Sequence, residues 1–211
     1  MIIPTGQIEQ DFFNQGISLL AGADEAGRGP LAGPLVAGAV LFKEIPKLPL
    51  RDSKQLTPQQ REELFPLIQD SAASFAFGIV EVEELNLINN MHLASLEAMR
   101  RAVLQLAPEP ELVLIDGKYT IPDFNLAQKN LIKGDSISLV IAAASILAKV
   151  QRDHLMNQID EQYPGYGFAR HKGYGTCEHL KTLAELGPCR FHRKNFQLIK
   201  EYFQEQTVLE L

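Results

Sequence analysis

Two apolar runs, Ile17 to Ala23 and Leu35 to Phe42, bracket the stretch GADEAGRGPLAGP from Gly22 to Pro34, and no other feature constrains the fold as much. Short apolar runs bounded by glycine and proline read as strands. The acids Asp24 and Glu25 therefore stand where one strand stops, ahead of a turn in which Gly27 and Gly29 flank Arg28. Glycine permits positive φ and close backbone approach to a ligand, and arginine offers a planar cationic fork. Taken alone, such an acid pair reads as a tight hairpin with solvated charges at its tip. The rest of the chain changes that reading.

Leu48 to Leu56 is a polar connector, after which Thr57 reads as an N-cap, with Pro58 at the first helical position and Gln60 at capping-box spacing. That helix is expected to run to about Gln69, and Ser74 to Val82 alternates as a strand. Glu83 to Leu106 has the spacing of one long amphipathic helix, ended by APEPE at Ala107 to Glu111. Leu112 to Ile115 is a short, wholly apolar run closed by Asp116 and Gly117, as a buried central strand would be. Asn125 to Lys133 is expected as a further strand ending at Gly134-Asp135-Ser136, and Ser138 to about Ile159 as a helix with small residues at Ala142 to Ala144.

Asp24 with Glu25, Asp116 and Asp135 share one description: each follows an apolar, strand-like run and meets a glycine within three residues. Their separations fit no helical period, so only a sheet that gathers strand ends would cluster them. Clustered carboxylates repel, and an all-oxygen set of this kind suits Mg²⁺ or Mn²⁺. Two such ions can activate a water and stabilise the leaving oxygen of a phosphodiester. The alternative is three unrelated surface turns. Asp153 lies five helical turns beyond Asp135 and is excluded from that set; it is expected to pair with Arg152, Lys149 or a tail residue.

The net charge of -6 argues against coating nucleic acid by bulk electrostatics but is compatible with an acidic metal site. One domain spanning 1–211 is expected, with no membrane-spanning stretch and no leader; two cysteines are too few for a disulfide framework, which together point to the cytoplasm. Two competing motifs are weak. Gly27-x-Gly29-x-x-x-Gly33 with Asp52 approaches a dinucleotide fingerprint, but Pro34 and the strand-like Leu35 to Phe42 occupy the place of its helix. Cys177, His179, Cys189 and His192 are zinc-capable residue types at tighter spacing than structural sites use.

Taken together, the motifs DEAGRGPLAGP (24–34), DSKQL (52–56), LIDG (114–117), KGDS (133–136), AAASILAKVQRD (142–153) and HKGYGT (171–176) resemble the type 2 ribonucleases H, the ribonuclease HII family. The GRG turn favours it over type 3 relatives. The resemblance implies an α/β, ribonuclease H-like fold: a mixed five-stranded sheet flanked by helices, with a helical C-terminal extension from about residue 160. It implies that Asp24, Glu25, Asp116 and Asp135 are catalytic metal ligands for Mg²⁺ or Mn²⁺. Gly27, Arg28 and Gly29 would sense a ribose 2′-hydroxyl, the one group that separates RNA from DNA at a given site. Tyr174 would pack on the sugar past the junction, and Ser53 and Lys54 would contact phosphate.

The implied partners are RNA–DNA hybrid and ribonucleotide-containing duplex DNA, cut by a monomer to leave 3′-hydroxyl and 5′-phosphate ends. The rivals are a DNA nuclease of the same fold, a non-catalytic hybrid-binding module and, more distantly, a dinucleotide-dependent oxidoreductase. Two details sit beside the family pattern. Glu84 to Ala98 is about one helical turn longer than usual, which leaves Asn86 and Asn90 both as candidates for the family's asparagine. The end, Gln206 to Leu211, faintly suggests a sliding-clamp peptide.

Overall fold

A computed structural model describes residues 3–202. Among them a five-stranded mixed sheet forms from β1 (Leu20–Ala26), β2 (Leu35–Phe42), β3 (Ser74–Val80), β4 (Leu112–Asp116) and β5 (Gln128–Leu131), in the order β3-β2-β1-β4-β5. β1 pairs antiparallel with β2 and parallel with β4, and β4 parallel with β5. All eight residues of β2 are buried, as expected of a strand covered on both faces.

One face is covered by α4 (Met91–Val103), whose Ala98, Met99 and Ala102 meet Ala37, Ala39 and Leu41 of β2. The other is covered by α5 (Leu139–Gln162), packed on Leu20, Val40, Phe42 and Leu114. α5 lies unusually close because Gly22 and Gly38 leave it room: a Cβ on Gly22 would sit 2.4 Å from the Val140 carbonyl. α1 (Gln7–Asn14) places the buried carboxylate of Glu9 at the start of α5, where its Oε1 accepts from Ser138 Oγ and the Val140 amide. That is where a helix dipole favours negative charge.

α2 (Pro58–Ser71) begins as expected, with both capping-box hydrogen bonds between Thr57 and Gln60. The single helix expected from Glu83 to Leu106 is instead two, α3 (Val82–Ile88) and α4. Asn89 takes a left-handed φ of 47°, and Asn90 Oδ1 accepts from the His92 and Leu93 amides, so one asparagine ends a helix while the next starts another. The strands expected at 74–82 and 125–133 are shorter than their sequence patterns.

The segment after α5 holds α6 (Phe168–His171) and α7 (Cys177–Leu186). No helix among the described residues is long and apolar enough to cross a membrane. Gln206 to Leu211 lies outside the described residues.

Candidate active site

Asp24 and Asp116 become neighbours through strand register. Ala23 pairs with Ile115 across the parallel β1–β4 contact, and the next residue on each strand is an acid. Side chains alternate along a strand, so Asp24 shares the α5 face with Gly22 and meets Ser145 of α5, and Glu25 turns the other way. Asp116 Oδ1 accepts from the Gly134 amide at 2.7 Å, which anchors the 3₁₀ turn Gly134–Ser136 and brings Asp135 beside it. Asp135 is buried and bonded to Lys54 Nζ at 2.9 Å. Asp24, Glu25, Asp116, Gly27, Arg28, Gly29, Ser53, Lys54 and Tyr174 line one cavity of about 350 Å³.

Burial raises Asp24 well above the usual carboxylate range, and Glu25 and Asp116 push it further. Burial likewise raises Glu25, against the opposing pull of Arg28; burial, and then the neighbouring charge of Asp135, raise Asp116. Lys54 loses by burial but is carried above its ordinary value by its hydrogen bond to Asp135. Such mutually destabilised carboxylates call for cations.

The donors are hard oxygens, the right kind for a divalent ion. Among the described residues no three His, Cys, Asp or Glu side chains converge into a closed metal shell. Asp24 and Asp116 nevertheless stand one register step past a paired position on adjacent strands, about 5 Å apart in backbone. A shared ion therefore asks for side-chain rotation rather than strand movement.

Gly27 has φ 103°, and a Cβ there would lie 2.2 Å from Arg152 Nε, so both conformation and space require glycine. At Gly29 the nearest atom to such a Cβ is Tyr174 Cε1, at 3.7 Å, which leaves a narrow slot between turn and ring. Ser53 is turned inward, with its hydroxyl on Ser145 Oγ at 2.8 Å and its carbonyl accepting from Arg61. Lys54 is the exposed member of that pair.

Two buried arginines outside the expected site set hold this turn. Arg152 donates to the carbonyls of Ala32, Pro34 and Lys172, and Arg193 to those of Arg28, Gly33 and Pro34. Burial pushes Arg193 down to about 9. For Arg152 a signal existed: Ser145, Lys149 and Arg152 fall at i, i+4 and i+7 on α5, one helical face. Arg193 had none. Asp153 pairs with Lys149 on the same helix.

Of the zinc-capable residues, the two histidines are engaged otherwise, while Cys177 and Cys189 are free thiols. The Cys189 amide donates to His192 Nδ1 at 2.9 Å, leaving His192 Nε2 to donate to His179 Nε2 at 3.1 Å and His179 Nδ1 to donate to the Tyr174 carbonyl at 2.9 Å. This neutral chain supports the loop that carries Tyr174. Burial and His179 push His192 down to about 4. Its folded pKa lies below the unfolded value, so its stabilisation is complete above about pH 6.5 and drains away as pH falls toward 4. The stability gap between wild type and His192→Gln, from urea unfolding, is expected to narrow by about 2 kcal/mol between about pH 7 and about pH 4.5. An equal gap at both would contradict the neutral assignment. The dinucleotide fingerprint also fails, because β2 rather than a helix follows Gly33.

Comparison with known proteins identifies the family and the fold. The family profile described as Ribonuclease HII matches residues 21–199. The ribonuclease HII of Geobacter metallireducens is 52% identical over 188 residues, covering 89% of this chain and 87% of that one. That of Caldicellulosiruptor saccharolyticus is 48% identical over 194 residues, covering 90% and 92%. Among solved structures, ribonuclease H2 from Pyrococcus horikoshii superposes with TM-score 0.73 at 26% identity, over 89% of this chain and 98% of that one. Bst-RNase HIII in complex with Mn²⁺ shares the fold, with TM-score 0.68 at 21% identity over 91% and 71%.

Proposed function

Because the chain belongs to the ribonuclease HII family, we propose that it is a metal-dependent endoribonuclease that cuts RNA–DNA hybrids and nicks duplex DNA on the 5′ side of a single embedded ribonucleotide. The observation that carries this reading is the meeting of Asp24 and Asp116 at the carboxyl ends of parallel strands, beside a turn with the left-handed Gly27.

In this reading Asp24, Glu25, Asp116 and Asp135 hold Mg²⁺ or Mn²⁺. A pair of such ions supplies activation of the attacking water and charge neutralisation at the leaving oxygen. The chain itself supplies placement. Backbone groups of Gly27 to Gly29 approach the 2′-hydroxyl, with Arg28 exposed beside them. Tyr174, 44% exposed beside that turn, packs on the sugar past the junction. Lys54, with 78% of its side chain exposed, reaches a phosphate at the rim. Ser53 lines the same cavity, with its hydroxyl on Ser145 Oγ, and is the second phosphate contact. The chain acts as one catalytic domain and as a monomer.

The test is a labelled duplex with one ribonucleotide, incubated with Mg²⁺ or Mn²⁺ and mapped for nick position. Nicking 5′ of the ribonucleotide, with 3′-hydroxyl and 5′-phosphate ends, is expected. Equal cutting of the all-DNA duplex would instead mean a DNA nuclease. Hybrid binding without cutting would mean a binding module.

A further inference from the structure

We propose that Arg193 sets the preference for ribose: by holding the Arg28 carbonyl inward, it aims the Gly29 amide at the 2′-oxygen of the ribonucleotide. It is a positioning residue, not a catalytic one. This rests on the endoribonuclease reading and deepens it, by naming one donor and what aims it.

Arg193 Nη1 donates to the Arg28 carbonyl at 3.2 Å, from the buried side of the turn. A trans peptide is planar, so its C=O and N–H point opposite ways. The N–H that shares this peptide is that of Gly29. It therefore points away from Arg193, on the side where Gly29 is exposed and lines the cavity with Tyr174. Among the described residues nothing accepts from that amide. The other carbonyls that Arg193 holds, those of Gly33 and Pro34, bring no such donor. Pro34 has no N–H, and Leu35 is paired with Val80 in the sheet. Arg152 holds the carbonyls of Ala32, Pro34 and Lys172, and the Arg28 carbonyl is left to Arg193.

Arg193 is itself fixed. Its amide donates to the Leu31 carbonyl at 2.8 Å, the adjacent His192 bridges to Ala32, and its guanidinium lies 5.8 Å from the Phe196 ring centroid. The residue is 1% exposed, and each of its three guanidinium nitrogens donates to a carbonyl of the Arg28 to Pro34 stretch. Burying a charge is a costly way to pack a loop. It does set the Gly29 donor in advance, and a donor set in advance needs no reorganisation when the ligand arrives. A ribose 2′-oxygen accepts that N–H, and a deoxyribose leaves it unmet.

Binding is measured in an Asp24→Asn background, where cutting is slow, on matched duplexes that carry one ribonucleotide or none. The parent is expected to hold the ribonucleotide duplex tighter. Arg193→Lys is expected to shrink that ratio of Kd values by about 2- to 12-fold, the worth of one hydrogen bond, by weakening binding of the ribonucleotide duplex alone. Ile68→Ala, a truncation in the core layer between α2 and α5, should lose stability and keep the ratio. An unchanged ratio in Arg193→Lys, or an equal loss on both duplexes, overturns the proposal; the equal loss would mean that the amide holds a phosphate.

A second measurement needs no change at position 193. In the same background, the ribonucleotide duplex should slow hydrogen exchange at the Gly29 amide and the all-DNA duplex should not. Equal exchange in the two complexes sinks the proposal even if Arg193→Lys does not fold. Discrimination between the duplexes without protection of Gly29 would remove the role of Arg193 and keep the endoribonuclease reading. A parent that binds both duplexes alike would remove the two together.

Discussion

Asp24→Asn is expected to lower kcat on an RNA–DNA hybrid by ~10³-fold or more, the worth of several kcal/mol of cation-borne charge stabilisation. In chelator, the same substitution is expected to raise the melting temperature. Asp24 is 3% exposed and crowded by Glu25 and Asp116, so ionising it opposes folding unless a cation is present. The sign follows from linkage. A carboxyl whose folded pKa is raised holds its proton better in the folded state, so its contribution is full below the unfolded pKa of about 3.9 and is lost as pH rises through the folded value.

Asparagine stays neutral and escapes that loss while keeping an oxygen for the Glu25 amide, which Asp24 Oδ1 accepts at 2.7 Å. The stabilisation should therefore be present near neutral pH and vanish in acid, each 1 kcal/mol moving the midpoint by about 2–4 °C. Thermal scans in chelator across pH, run beside hybrid cleavage, check both halves. A variant that stays within tenfold of wild type in kcat, or that melts lower at neutral pH, would refute the role given to Asp24.

Gly22→Ala is expected to be among the most damaging single methyl additions in the fold. Its Cβ would meet the carbonyl carbon and oxygen of Val140 at 2.4 Å and the Ile141 amide nitrogen at 2.7 Å, all backbone of α5. No rotamer relieves a clash between two main chains. α5 must move off β1, loosening the layer of Leu20, Val40 and Leu114 against Val140 and Ala143.

Overpacking costs about 1–3 kcal/mol where side chains can yield, and the rigid partner here places the change at about 3 kcal/mol or more. The same displacement carries Ser145 away from Asp24, and a misplacement of about 1 Å can cost ~10²-fold in rate, so activity per folded molecule should also fall. Urea unfolding and active-site-normalised rates measure the two effects. Wild-type stability would show that β1 and α5 are not in the contact described.

What could be read from the residues was local. The Thr57–Gln60 box, the buried run of β2 and the apolar strand ending at Asp116 each follow from neighbours in sequence, and each is found. The break between α3 and α4 was hidden because an apolar face at helical spacing continues across Asn89 and Asn90. Two capping asparagines then outweigh the periodicity.

The site depended on something no local signal carries, namely which strands pair and in what register. Ala23 opposite Ile115 is a tertiary fact, and it is what makes Asp24 and Asp116 neighbours. Resemblance to a family stood in for that knowledge. It carried Arg152 inside a matched motif without a role, and it did not reach Arg193 or the Ser53–Ser145 hydrogen bond; both arginines act on main-chain carbonyls. Residues that bind backbone leave no partner type to look for in sequence.

The claim on which the rest depends is that acids on separate strand ends form one cation site facing the Gly27 turn. Anomalous diffraction from a crystal grown with Mn²⁺ and a non-cleavable RNA–DNA hybrid tests it most directly. The account predicts a peak within about 2–2.5 Å of carboxylate oxygens from both Asp24 and Asp116, with the hybrid's phosphate beside it. A peak bound elsewhere, or a hybrid seated away from these two residues, would contradict it.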